Sequence, residues 1–281
     1  MKGPVKHIHQ GVLGLCDFAI VLFEQETRLV TGEGDHLLVQ FGLVNQIDPP
    51  LRGLAFINRF VIALGSIDFR SDEWGVDVVV AGSQKGLLLP PGLSFNAVSE
   101  KAMAVAKAGG AKRSYWDWLD MTGPNESGFF PYTPATTLLY GLREAIDMLM
   151  EEGLENVFAR HVRHGEATRI AVNAWGLEIL CQDPALYSNA LTAVVMPDDK
   201  GADALRKTIL EGFDMSLGTG LNKIADRVFR IGHLGDFNDL MLMGTLCGVE
   251  MGMQRADVEH RKGGAQAAMD YLAETPLTAT I

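Results

Sequence analysis

The sequence predicts an α/β fold, and three features carry that prediction. A β-branched run at residues 76–81 (VDVVVA) ends at Gly82 and reads as a buried strand. Leu138, Leu139, Leu142, Ala145, Ile146 and Leu149 recur at i, i+1, i+4, i+7, i+8 and i+11, the spacing of one helix face. The C-terminal third alternates strand-like and helix-like segments. Glycines punctuate the apolar runs throughout, 31 of 281 residues against a typical usage of roughly 7%.

From the N-terminus, residues 27–30 and 37–43 are candidate strands, although no motif marks the first part of the chain. The strand at 76–81 is followed by a rigid break at Pro90-Pro91-Gly92 and a second strand at 93–98 (LSFNAV). Ser99 is placed to cap an alanine-rich helix that stops at Gly109-Gly110. Pro134 stands at the start of the leucine-striped helix, where a proline is tolerated, and another helix follows over 154–164. Residues 190–196 read as a strand, 202–211 as a helix and 227–231 as a strand, with closing helices from about Asp236 and His260. The expected organisation is an N-terminal segment 1–63, a large-domain portion 64–165 and a smaller α/β domain 166–281. No internal repeat or low-complexity tract interrupts it.

Composition narrows the function classes. With 47% hydrophobic and 21% charged residues the chain has the profile of a folded globular protein, which excludes disorder. A net charge of −11 without a basic patch argues against nucleic-acid and anionic-membrane partners. Cys16, Cys181 and Cys247 are odd in number and far apart, as expected of reduced thiols in a cytoplasmic protein. The apolar stretches 12–23 and 54–64 carry Asp17, and Asn58 with Arg59, and fall short of the ~18 residues of a spanning helix. Lys2 and Lys6 begin no recognisable leader peptide, so the expectation is a soluble chain.

The segment 78–86 (VVVAGSQKG) carries the chemistry. A lysine just past a buried strand, beside small residues that leave room for a ligand, can form a Schiff base with an aldehyde cofactor such as pyridoxal phosphate (PLP). On spacing alone, Lys85 is more often an ordinary surface lysine.

Three separated motifs in the chain change that weighting. DEWGVDVVVAGSQKGLLLPPGLSFNAVS (72–99), FFPYTPATTLLYGLREAIDMLMEEGLENVFARH (129–161) and FRIGHLGDFNDLMLMG (229–244) together resemble the class V aminotransferases of PLP fold type I. Within them the resemblance is greatest to the serine–glyoxylate and alanine–glyoxylate branch, and it runs from about Leu64 to the C-terminus. It implies a truncated large domain with a mostly parallel sheet and a smaller C-terminal α/β domain. Lys85 would be the Schiff-base lysine and proton shuttle, and Gln84 would lie against the cofactor near its phosphate. Thr133, with Tyr132 as a companion, would reach the phosphate of a partner subunit's cofactor, which implies a homodimer. Arg230 would pair bidentately with the substrate carboxylate. The implied reaction is transamination between serine or alanine and glyoxylate.

The departures point elsewhere. In the family the lysine lies near mid-chain, whereas here it is residue 85 of 281. Neither the glycine-threonine phosphate loop nor the aromatic that stacks on the pyridine ring is found in residues 1–60. His9-Gln10-Gly11 and Thr31-Gly32-Glu33-Gly34 do not stand between a strand and a helix. The aspartate that pairs with the pyridine nitrogen aligns with Arg59, and Asp48 and Asp68 are out of register. Residues 1–63 are therefore expected to be foreign or out-of-frame sequence joined to a genuine family remainder. The alternative function is a non-catalytic fragment that at most dimerises.

Other candidates are weaker. His7 with His9, and His161 with His164, share a face as metal ligands would, but no third ligand is near and solvated histidines are expected. His233 reads as local structure. Tyr115, Trp116 and Trp118 read as core or interface packing, Asp72-Glu73 as a solvated turn, and GVEMGMQRA as helix packing through small residues.

Overall fold

The β-branched run becomes a strand because both of its faces find apolar cover. The computed structural model describes residues 64–109, 115–197 and 200–276, together with the backbone of Ala19–Glu24 (β1) and Ile57–Asn58 (β2). The expected strands at 27–30 and 37–43, and His7, His9, Cys16, Asp48 and Arg59, lie outside the described residues. The chain divides into two compact units between Leu154 and Glu155.

In the first unit, Val78–Gly82 (β3) and Leu93–Val98 (β4) form an antiparallel pair in a four-stranded sheet of order β1-β4-β3-β2. Side chains alternate across that sheet. Val78 and Val98 pack with Ala102, Met103 and Trp118 on one face, from Glu100–Ala108 (α1) and Trp118–Glu126 (α2). Ala81, Leu93 and Phe95 pack on the other with Leu142 and Ala145 of Thr136–Glu152 (α3). The leucine stripe read from the sequence is the face that α3 buries. Ser99 caps α1 as expected, its Oγ accepting from Ala102 N–H at 3.1 Å and donating to the buried Asp77 carboxylate at 2.8 Å.

The expected parallel majority is not what the described strands show. β1 and β3 both run antiparallel to β4, and only β2–β3 is parallel. The connection over 83–92 explains the β3–β4 pair, because a parallel crossover needs a dozen or more residues. The α/β class itself stands. A helix over Trp118–Glu126, unmarked in the sequence reading because Pro124 lies inside it, packs Met121 inward and leaves Tyr115 and Trp116 exposed.

In the second unit, Leu154–Trp175 (α4) runs unbroken past His164, where the sequence reading ended it. Gly165 does not stop it, because the missing Cβ makes room for Arg169 and His233. Glu178–Ile179 (β5), Leu191–Val195 (β6), Gly218–Thr219 (β7) and Val228–Gly232 (β8) form an antiparallel sheet of order β5-β6-β8-β7. Val194, Phe229 and Ile231 turn inward against α4, Ala202–Phe213 (α5), Asp239–Arg255 (α6) and Gly264–Glu274 (α7). The small residues of GVEMGMQRA act as read. Gly252 leaves no space for a Cβ beside Ile209, so α5 and α6 approach closely. Among the described residues no helix is long and apolar enough to cross a membrane.

Candidate active site

Lys85 follows β3 in a turn whose backbone is fixed from three sides. Ser83 is fully buried. Its Oγ donates to Pro90 O at 2.7 Å and accepts from Leu93 N–H at 3.1 Å, which closes the loop on itself. Leu88 N–H donates to Lys85 O at 3.1 Å, and Leu88 sits at φ 63°, a left-handed conformation that bulky residues adopt only where surrounding contacts enforce it. On the third side, Gly86 packs against the turn at Leu64-Gly65-Ser66. A Cβ on Gly86 would strike Leu64 O and lie 2.8 Å from Ser66 Oγ, itself buried without a hydrogen-bond partner. The lysine is thus presented by a rigid frame. It is half-buried and its amine has no ion pair with a described carboxylate. Gln84 is exposed and folds back over β3, its Oε1 2.8 Å from where Gly82 would carry a Cβ.

Tyr132 and Thr133 stand in the loop before α3. They line a shallow depression with Leu93, Met121, Phe130 and Tyr115, and the Tyr115 and Tyr132 rings are 4.9 Å apart. Both residues are exposed. Leu93 joins this wall to the lysine loop, because its N–H donates to Ser83 Oγ and its side chain packs with Ala135 and Leu139. Lys85 is not among the residues lining the depression.

Arg230 belongs to the second unit. It is on the face of β8 opposite the core residues Phe229 and Ile231, between Ala193 of β6 and Gly218 of β7. Its Nε is buried without a hydrogen-bond partner, and no described carboxylate pairs with it. An arginine kept half-buried on a strand with its donors unspent is suited to receive a carboxylate.

His161 and His164, expected to be solvated, are instead enclosed in the second unit, and so is His233, expected to be local structure. His161, His164 and His233 are all fully buried. His161 donates from Nδ1 to Val157 O at 2.7 Å and accepts at Nε2 from Gly235 N–H at 3.1 Å. His164 bonds Asp239 at 2.9 Å, and burial lowers its pKa below the ordinary value. His233 donates from Nδ1 to Asn189 O and accepts from Thr192 Oγ1, each at 3.0 Å. Burial pushes its pKa down to about 3, so it is neutral. Contacts spanning 41 to 75 residues of sequence hold these histidines, and a face-sharing argument has no access to them. The roles of Ser83, Gly86 and Leu88 also escaped the sequence reading, although the glycine after a strand-end lysine was the available signal.

Comparison with known proteins identifies the family. The family model "Aminotransferase class-V" matches residues 59–219. Serine–glyoxylate aminotransferase of Methylorubrum extorquens is 46% identical over 223 residues, which cover 77% of this chain and 56% of that protein. The Arabidopsis thaliana serine–glyoxylate aminotransferase is 46% identical over 75% of this chain and 53% of its own length. Among solved structures, pyridoxamine–pyruvate aminotransferase from Mesorhizobium loti superposes with a TM-score of 0.73 at 28% identity, covering 79% of this chain and 58% of that one. The chain thus spans about half the length of the curated relatives it matches. With a family match over more than half its residues and the framed strand-end lysine inside that match, the chain belongs to the class-V aminotransferases.

Proposed function

We propose that this chain carries the lysine and arginine machinery of a PLP-dependent aminotransferase that moves an amino group between serine or alanine and glyoxylate. The observation that carries the reading is the frame around Lys85: a buried strand end, Ser83 closing the loop, and an amine that pairs with no carboxylate among the described residues. These residues fit the cofactor. Gly86 lets the Leu64-Gly65-Ser66 turn pack directly against the lysine turn, and the buried Ser66 hydroxyl there has an unspent donor. Lys85 would hold the aldehyde, Gln84 would lie beside the phosphate, and Thr133 with Tyr132 would serve the cofactor of a partner subunit in a homodimer. When bound, the cofactor supplies an electron sink that lets the amino acid's Cα give up a proton.

The chain's own part is positioning and proton transfer. Lys85 Nζ would take the Cα proton and return it on the cofactor side, work that a rigid backbone at 83–93 keeps within reach. Arg230 would bind the substrate carboxylate through two parallel N–H bonds, which fixes the orientation of Cα. The proposed organisation remains a segment 1–63, a large-domain portion 64–165 and a small domain 166–281, in a cytoplasmic protein.

A second reading rests on a specific observation: the match covers only 53–56% of the curated relatives' lengths, and Arg59 stands where the family's aspartate is expected. On that reading the chain is a dimerising fragment without chemistry. Titration of the purified chain with PLP, followed by absorbance and borohydride trapping, separates the two. Cofactor trapped on Lys85 and lost in Lys85→Ala supports the enzyme, and serine–glyoxylate turnover is then assayed. Trapping that does not depend on Lys85, or none at all, leaves the fragment reading, which sedimentation tests by the presence of a dimer.

A further inference from the structure

Three outward-facing positions lie in a row across the second sheet: Ala193 on β6, Arg230 on β8 and Gly218 on β7. Arg230 is therefore flanked by a methyl group on one side and by no side chain on the other. Its own side chain has taken the empty side. A Cβ built on Gly218 would lie 3.0 Å from Arg230 Cβ and 3.1 Å from Arg230 Nε, closer than ordinary van der Waals contact. The first contact is with an atom fixed to the β8 backbone, so rotation of the far end of the arginine does not relieve it. The Nε that crosses Gly218 is the one buried without a partner.

We propose that Gly218 is a positioning residue for carboxylate recognition. By having no side chain it lets the Arg230 stem lie flat across β7, and this direction sets where the guanidinium fork presents its paired donors. A residue with a Cβ at 218 would lift the stem off β7, and the fork would meet a carboxylate with one donor instead of two. This rests on the reading of Arg230 as the carboxylate anchor.

The test uses the full chain labelled with 15N and acetate as the probe carboxylate, since acetate has no aldehyde to react with lysine. The arginine Nε–Hε resonance lost in Arg230→Lys is assigned to Arg230, and acetate is titrated at constant ionic strength. The expected results are a nuclear Overhauser contact between Arg230 Hε and the Gly218 α protons in the unaltered chain, and acetate affinity about tenfold weaker in Gly218→Ala, the loss of one charge-assisted hydrogen bond. Arg230→Lys weakens acetate binding to at least the same degree. If Arg230→Lys binds acetate as the unaltered chain does, the anchor reading fails and the inference with it. If Arg230→Lys weakens binding while Gly218→Ala does not, the inference alone is overturned. Absence of the Overhauser contact overturns it as well, and this readout does not require the Gly218 variant to fold.

Discussion

Arg163 grips Asp239 with both arms of its guanidinium, Nη1 to Oδ1 at 2.5 Å and Nη2 to Oδ2 at 2.9 Å. The pair joins the middle of α4 to the first residue of α6. Arg163 extends the junction by donating to Leu272 O at 2.7 Å and to Thr275 O, at the end of α7. Hydrogen bonding to Arg163 holds the Asp239 carboxyl below the ordinary carboxylate range, against the opposing effect of burial.

Removing the carboxylate strands a buried cation, because the Arg163 side chain is 7% exposed whereas that of Asp239 is 45% exposed. Breaking a fully buried pair costs about 3–5 kcal/mol, and water near Asp239 reduces this. Asp239→Ala is expected to lose about 2 kcal/mol of stability, and Asp239→Asn, which keeps one acceptor, less. Urea unfolding of the two variants checks the order.

His233 sets a pH dependence whose sign follows from its burial. Its folded pKa of about 3 lies below the ordinary 6.5, so below pH 6.5 the unfolded chain takes up a proton that the folded chain refuses. Stability is full above that value and falls with pH toward about 3, by up to about 1.4 kcal/mol per pH unit. His164, shifted in the same direction, adds to the slope. Unfolding midpoints at pH 7.5, 6 and 5 are expected to decline, and His233→Gln to flatten the decline. An unchanged slope in that variant would refute the assignment.

At Gly86 the obstacle to a side chain is backbone, so nothing can rotate away. Gly86→Ala is expected to lose at least about 2 kcal/mol and to move the lysine turn. Gly75→Ala is the comparison. Gly75 has φ +64° and open space around it, so only the left-handed conformation is penalised, at about 1 kcal/mol. Thermal melts of both variants, with amide exchange at 83–93, distinguish the two costs.

Glu250 reaches from α6 to the start of α7, where its carboxylate accepts from Gly263 N–H at 2.6 Å and Ala265 N–H at 2.9 Å. It also accepts from the buried Trp175 Nε1 at 2.9 Å. Burial raises its pKa, but these bonds together outweigh that effect and hold it below the ordinary carboxylate value. Glu250→Ala therefore uncaps a helix and orphans an indole N–H, for about 2–3 kcal/mol. Loss of the buried Trp175 environment is read by a red shift in tryptophan emission.

Much of the fold was legible. The strand at 93–98 was read to the residue, those at 76–81 and 190–196 to within two, and Ser99 was named as the cap it is. These are outcomes of side-chain period and local capping, which act within a few residues. The two-residue strands β5 and β7 carry too short a pattern to be seen, and α2 was hidden by its proline. The length of α4 was underestimated because the residues that accommodate Gly165 come from elsewhere, His233 among them.

The sequence by itself determined the family, the α/β class and the place of Lys85 at a strand end, since each is written in contiguous motifs. Only the tertiary structure decided what surrounds them. It sealed His161, His164 and His233 away from water, tied His164 to Asp239 across 75 residues, and laid Arg230 over Gly218. Burial and hydrogen-bond partnership are properties of packed neighbours, and those neighbours are chosen by sheet register and helix contact, not by adjacency along the chain.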